Sequence, residues 1–303
     1  MPESSASKPI QFYNRYTRKM ETEAVYGESF LKWAYGNRLG RLTVEGLVKK
    51  AFFSRFYGWL MSRPHTVSKI QPFVDAFGLD ASEFVRTPDQ FKSFNDFFSR
   101  ALKPAARPVA GHRDTVVFPA DGRHLGFQNL EKVSSVFVKG QSFDLDLLLG
   151  SRELANQYRH GTAVLSRLCP TDYHRFHFSI NGIPARPELI NGYLYSVNPM
   201  ALRQHLTYLC QNKRVLTHVH SQECGEVLIL EIGATNVGSI RQSFSPEKPV
   251  RRGDEKGIFS FGGSATMTFF EPGRVQLADD LLSQTANAIE LYARMGDFMG
   301  KVL

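Results

Sequence analysis

The hydrophobic pattern of this 303-residue chain changes period near residue 110. Upstream, Val44, Leu47, Val48, Ala51 and Phe52 recur at i, i+3, i+4, i+7 and i+8, the spacing of one helix face. Downstream, short β-rich runs alternate with turn signals over 115–119, 133–138, 162–168, 189–197, 226–240, 257–261 and 266–270. Asn181-Gly182 and Asn191-Gly192 mark hairpins or turns between them. The two periods predict an α+β fold: an N-terminal helical region over 1–110 and a β-rich core over 111–303. Further helices are expected over 67–77, over 93–102 with Ser93 as cap, and over 198–209 with Pro199 in the first turn. A last helix over 277–295 is expected to close the chain, with Leu277, Leu281, Ala288, Ile289 and Tyr292 on its apolar face. The Pro-punctuated stretch 103–108 supplies the boundary. Gly36, Gly40, Gly46 and Gly58 argue against one long helix upstream of it.

Residues 29–63 stand apart in composition. They hold both tryptophans, Trp33 and Trp59, with Phe30, Phe52, Phe53, Phe56 and Tyr57, and seven Lys/Arg against one acid, Glu45. Aromatics on one helix face and cations on the other suit the interface of an anionic bilayer. The alternative is a helix packed on the protein's own core with its cations in water. The whole chain carries 37 Lys and Arg against 29 Asp and Glu, which favours an anionic partner without choosing one. Nucleic acid is not expected, because aromatics interleaved with cations would have to lie on the β core. The chain lacks an apolar run of the ~18 residues a spanning helix needs, and its start lacks a signal-peptide pattern. Cys169, Cys210 and Cys224 fit no zinc or disulfide spacing, which predicts a reducing, cytosolic-side location.

Chemistry-bearing residues fall in four clusters. In Pro119-Ala120-Asp121-Gly122-Arg123, an Asp before Gly is first of all a turn residue. Asp172-Tyr173-His174-Arg175-Phe176-His177 is dense in titratable groups, and its two histidines can converge in a turn but not along a strand. In Phe261-Gly262-Gly263-Ser264-Ala265 the glycines permit a strained backbone that brings a serine Oγ to the preceding carbonyl, although Gly-Gly-Ser is also an ordinary loop. Thr217-His218-Val219-His220 places two imidazoles on one strand face, but no carboxylate or Cys spacing accompanies it, so no metal is expected. Arg252-Gly253-Asp254 spells an adhesion tripeptide, for which chance is the better explanation here. Cys169 near the histidines leaves a Cys/His nucleophile as an alternative. There is no P-loop, no G-x-G-x-x-G after a strand and no G-x-S-x-G elbow.

Taken in order, these clusters resemble the phosphatidylserine decarboxylase family, in the bacterial form whose processing site reads GGS. The run from Phe94 to Pro108 is similar to that family's FNxFFxRxLKPxxRP. Pro119–Gly122 resembles its PxDG, Tyr173–His177 its YHRxH, and Tyr195-Ser196-Val197-Asn198 its SVN segment. Asn212-x-Arg214-Val215, Gly233–Ile240 and Lys256-Gly257 followed by Phe261–Ser264 match further elements. The resemblance implies a proenzyme that cuts itself between Gly263 and Ser264 into chains 1–263 and 264–303. Asp121, His177 and Ser264 would form the self-processing triad. Ser264 would become a pyruvoyl cofactor and the Schiff-base site for converting phosphatidylserine to phosphatidylethanolamine and CO₂. His174 is a candidate for substrate contact or protonation. The implied setting is peripheral, on the anionic cytoplasmic face of a bacterial membrane, and a homodimer is allowed. The rival is a non-enzymatic peripheral lipid-binding protein whose site stays unprocessed. One departure stands out: the family usually has Thr after the serine, and here it is Ala265.

Overall fold

The computed structural model describes residues 9–133, 136–137, 141–142, 144–234, 240–262 and 264–303. The helical part is not one long helix, although Gly40 and Gly58 lie inside unbroken helical segments. Helix α1 (Glu28–Gly36) gives way to α2 (Arg38–Thr43), a π-helical turn (Val44–Val48) and α3 (Ala51–Met61). A 3₁₀ turn led by Pro64 leads into α4 (Ile70–Phe77), which stops at Gly78 with φ 60°. Helix α5 (Phe94–Phe98) is shorter than expected but starts as expected, Ser93 Oγ accepting from the Asp96 amide. Met61, Ile70, Phe73, Val74, Phe84, Phe91 and all three phenylalanines of α5 form one cluster, and Phe261 from the far end of the chain completes it.

The described strands are β1 (Gln11–Asn14), β2 (Lys19–Thr22), β3 (Thr115–Val117), β4 (Gly122–Phe127), β5 (Thr162–Leu168), β6 (Arg175–His177), β7 (Ile183–Pro184), β8 (Glu188–Ile190), β9 (Arg214–Ser221), β10 (Gly225–Ile232), β11 (Ile240–Gln242), β12 (Glu255–Phe259), β13 (Ser264–Phe270), β14 (Val275–Leu277), β15 (Glu290–Ala293) and β16 (Phe298–Val302). The main sheet runs β2-β1-β15-β4-β5-β13-β10-β9-β7, with β8 also on β9. Two small sheets, β11-β12-β6 and β14-β16-β3, complete the β part. Strand alternation divides the apolar core. Leu125, Leu165, Met267 and Leu230 face one cluster, and Val164, Phe270, Val227 and Ile229 face another.

The α+β class holds, with differences at both ends. The expected closing helix over 277–295 is only Asp279–Ala286, after which β15 and β16 end the chain. Leu277 and Tyr292 lie in strands instead, and Ala288 takes φ 56° past the helix end. At the other end, β1 and β2 join the main sheet through β15, so the helical part is preceded by core strands. The helix expected over 198–209 is two short ones, Pro199–Leu202 and Tyr208–Gln211. The run expected over 133–138 falls partly outside the described residues.

Candidate active site

Three neighbouring strands bring distant residues to one sheet edge. Arg123 of β4 pairs with Arg167 of β5, and Arg167 pairs with Ala265 of β13. One residue further along, Leu168 pairs with Ser264, and Asp121 immediately precedes β4. Asp121 and Ser264 therefore share an edge two strands apart, about 10 Å by strand spacing. The glycine after Asp121 serves close packing: a Cβ on Gly122 would lie 2.5 Å from the Arg167 carbonyl oxygen.

Ser264 opens β13 and is fully buried, its Oγ without a hydrogen-bond partner among the described residues. Thr266 and Thr268 on the same strand face are also unbonded, so the orphaned hydroxyl alone does not single Ser264 out. Its place does. Gly262, two residues earlier, has φ 131°, a conformation that favours glycine. Gly263 itself lies outside the described residues. Ala265, where the family pattern has Thr, is buried among the apolar side chains of one core cluster.

Asp121 is buried and fully engaged. Arg107 donates to it from Nε (2.9 Å) and Nη2 (2.6 Å), and the Met295 amide donates at 2.9 Å. The same guanidinium donates from Nη1 to Glu83 at 3.0 Å. His177 sits on β6 opposite Glu255, its amide donating to the Pro119 carbonyl at 2.7 Å. Its ring lines a cleft of about 410 Å³ with Tyr173, Arg107, Glu255 and Met295. Burial pushes the His177 imidazole down to about 4, against the opposing pull of Glu255 and Asp121. Its Nδ1 is buried without a partner, and among the described residues no hydrogen bond joins Asp121, His177 and Ser264 to one another.

His174 is fully buried. A backbone carbonyl can only accept, so Nε2–H of His174 donates to the Cys169 oxygen at 3.0 Å, and Nδ1 keeps an unshared lone pair with no partner. The ring stacks on Phe98 at 4.0 Å between centroids, and Phe98 meets Phe261 at 4.8 Å. Burial and the Arg100 cation push this imidazole down to about 3.

Residues 93–107 run as a strap past every part of this edge. Asn95 Oδ1 accepts from the Phe261 amide, Arg100 donates to the Asp172 carbonyl, and Arg107 holds Asp121. Arg175 reaches back to the Ser99 carbonyl while pairing with Glu255 at 2.6 Å. These partners were missed by reading titratable residues alone, although the motif run 94–108 contains most of them.

A mostly apolar pocket of about 330 Å³ opens beside Phe261 and Gly262. Phe30 and Leu31 of α1 and Phe53 and Tyr57 of α3 wall it on one side, and Leu168, Cys169 and Pro170 on the other. Its polar end is a buried charge network. Arg167 is bridged to Glu23 at 2.6 Å and Glu290 at 2.7 Å, and Arg123 to Asp172 at 2.6 Å. Burial works to raise the Glu23 carboxyl, but Arg167 and Arg123 together hold it low.

A model of the phosphatidylserine decarboxylase family matches residues 94–301. The chain belongs to that family. A protein of Desulfitobacterium hafniense strain Y51, named phosphatidylserine decarboxylase proenzyme, is 43% identical over 96% of this chain and 98% of its own length. Proteins of the same name from Chlamydia muridarum (43% identical, 97% of this chain, 98% of theirs) and Clostridium perfringens (40%, 96% and 99%) agree.

Burial pushes the Cys169 thiol well up, against the opposing pull of Arg123, whose guanidinium donates to the sulfur. Arg252-Gly253-Asp254 is a turn, with Gly253 at φ 88° and Asp254 capping the Arg251 amide. His220 pairs with Glu226, and no metal-holding cluster occurs among the described residues. No described helix is long and apolar enough to cross a membrane.

Proposed function

We propose that this phosphatidylserine decarboxylase family member processes itself before Ser264 and decarboxylates phosphatidylserine with the pyruvoyl group so formed. The observation that carries this reading is the buried, unbonded Ser264 Oγ directly after a backbone turn at Gly262. What sets Ser264 apart from Thr266 and Thr268, whose buried hydroxyls are equally unbonded, is its place at the start of β13, two residues after the positive-φ Gly262. The residues present suit a pyruvoyl group held by the chain itself: its precursor serine is already walled from water, and an apolar pocket opens beside it.

His177 takes the Ser264 proton, Oγ attacks the Gly263 carbonyl carbon, and the peptide C–N bond breaks as the ester C–O bond forms. Loss of the Ser264 α-proton then expels the Gly263 carboxylate and leaves the new N-terminus of 264–303 to hydrolyse with release of ammonia. Asp121 favours the cationic form of His177 through space. For direct contact it must exchange its hold on Arg107. His174, with its free Nδ1 lone pair, is assigned to substrate contact or protonation. The formed group supplies an electron sink for the pair left behind as CO₂ departs.

The polar network of Arg167 and Glu23 fits the headgroup end of the pocket, and its apolar wall fits an acyl chain. Phe52, Phe56 and Trp59 stand out to solvent on α3, beside that wall, and with the flanking cations they suit an anionic leaflet. The setting follows: peripheral, on the cytoplasmic face, with phosphatidylserine as substrate and chains 1–263 and 264–303 as partners.

Intact mass of active protein tests this directly. Two chains are expected, and Ser264→Ala should remain whole and inactive. A single unmodified 34.2 kDa chain in an active preparation overturns the reading. The same single chain in an inactive preparation favours a non-enzymatic lipid-binding protein.

A further inference from the structure

The scissile segment is anchored upstream by one side chain that no part of the chemistry uses. Asn95, the second residue of α5, accepts the Phe261 amide hydrogen with Oδ1 at 3.1 Å. Its orientation is set from the other side: Nδ2 donates to Ser62 Oγ at 3.1 Å, and Ser62 Oγ in turn donates to the Gly58 carbonyl at 2.8 Å. An acceptor at Ser62 demands that the Asn95 nitrogen face it, so the oxygen must face Phe261. The turn holding Ser62 is itself fixed, because Thr66 Oγ1 accepts the Phe94 amide at 2.9 Å. The Phe261 ring is gripped as well, by Phe98 at 4.8 Å and by Tyr57 at 5.6 Å.

Downstream, Ser264 is fixed by its pairing with Leu168. Between these two anchors Gly262, at φ 131°, offers little resistance to rotation, so the approach to Ser264 depends on how firmly Phe261 is held. Attack by Oγ requires about 3–3.5 Å and the right approach, and a 1 Å misplacement costs about 10²-fold. We infer that Asn95 is a positioning residue for self-processing: its Oδ1 holds the Phe261 amide and so fixes the backbone that leads into the Ser264 site. The inference rests on Ser264 being the processing serine.

The test follows precursor synthesised in a cell-free system, with appearance of chains 1–263 and 264–303 read on a denaturing gel. Asn95→Ala should slow cleavage at least tenfold. The fraction that does mature should show kcat and KM for phosphatidylserine within about threefold of wild type, with an unchanged melting temperature. Asn95→Asp keeps an acceptor for the amide and should recover most of the rate. Cleavage of Asn95→Ala within twofold of wild type overturns the inference. A parallel fall in cleavage, kcat and melting temperature, unrescued by Asp, overturns it too, because it makes Asn95 merely structural. Wild type and Ser264→Ala run alongside. If wild type stays whole, or Ser264→Ala cleaves, the processing reading itself fails and takes this inference with it.

Discussion

Helices α3 and α5 are both short, phenylalanine-rich and flanked by arginine, yet they use these residues in opposite ways. Phe52, Phe56 and Trp59 of α3 are 75%, 54% and 52% exposed, whereas Phe94, Phe97 and Phe98 of α5 are sealed. The cations follow the same division. Arg55 of α3 is exposed, but Arg100 and Arg107, beyond α5, point inward at Asp172 and Asp121. Composition is thus a poor guide to role. What separates the two helices is the supply of partners, and α5 has Asp172, Asp121, His174 and Phe261 waiting on the β core.

The largest effect should come from breaking the arginine half of that contrast. Arg107→Ala leaves Asp121 buried without its countercharge, which costs about 3–5 kcal/mol when one partner of a buried pair is removed. Processing should slow at least a hundredfold, while Arg55→Ala should alter neither cleavage nor melting. Equal effects of the two substitutions on gel and melting curve would dissolve the distinction.

The aromatic half is tested by the same truncation on each helix, in a Ser264→Ala background that keeps one chain. Phe98→Ala should destabilise by about 3–5 kcal/mol in urea, as expected for a core phenylalanine. Phe52→Ala should stay within about 0.5 kcal/mol, as surface changes do. Binding to phosphatidylglycerol vesicles should reverse the order, with Phe52→Ala weakened and Phe98→Ala, below its unfolding range, unchanged.

How much of this was legible beforehand depends on the range of the signal. The Ser93 cap and the strand Thr162–Leu168 are local signals, and both lie where the sequence predicts them. Asp121 and Ser264 are candidates taken from the ordered motifs, and strand pairing puts them at the same end of nearby strands. That Arg107, rather than His177, binds Asp121 was not readable, because it depends on a strap crossing from the helical part. The 277–295 error has a similar origin. Leu291 and Ala293 carry a pattern that suits either element, and pairing with β4 and β1 decides for a strand.

The two regions should also differ in their response to pH. His124, His174 and His177 are buried in the β part, whereas His65 among the helices is exposed. Burial pushes His124 down to about 3, although Ser166 and the Ala293 carbonyl bond its ring. Unfolded imidazole titrates near 6.5, so between about 6.5 and 4 the unfolded chain binds protons that the folded chain refuses. Stability is full above 6.5 and falls as pH drops through this window, by up to about 1.4 kcal/mol per pH unit per histidine. Urea midpoints of the Ser264→Ala chain between pH 7.5 and 4.5 should show this slope. His124→Gln should reduce it by about one histidine's share. An identical slope in both chains would mean that carboxylates alone set the acid limit.

The smallest effect lies at the helix starts. Ser93 caps α5, but Lys50 at the start of α3 has cap-compatible angles, φ −82° and ψ 140°, and no side-chain acceptor. Lys50→Asp should therefore stabilise the unprocessed chain by up to about 1 kcal/mol. If α3 lies on an anionic leaflet, the same change replaces a cation with an anion there, at about 1 kcal/mol per charge near such a surface. Vesicle binding should then weaken roughly tenfold or more even as the melting temperature rises. The opposite signs are what make the test informative. A helix that merely packed on its own core would gain stability and keep its affinity for phosphatidylglycerol, and α3 would then differ from α5 only in how loosely it is held.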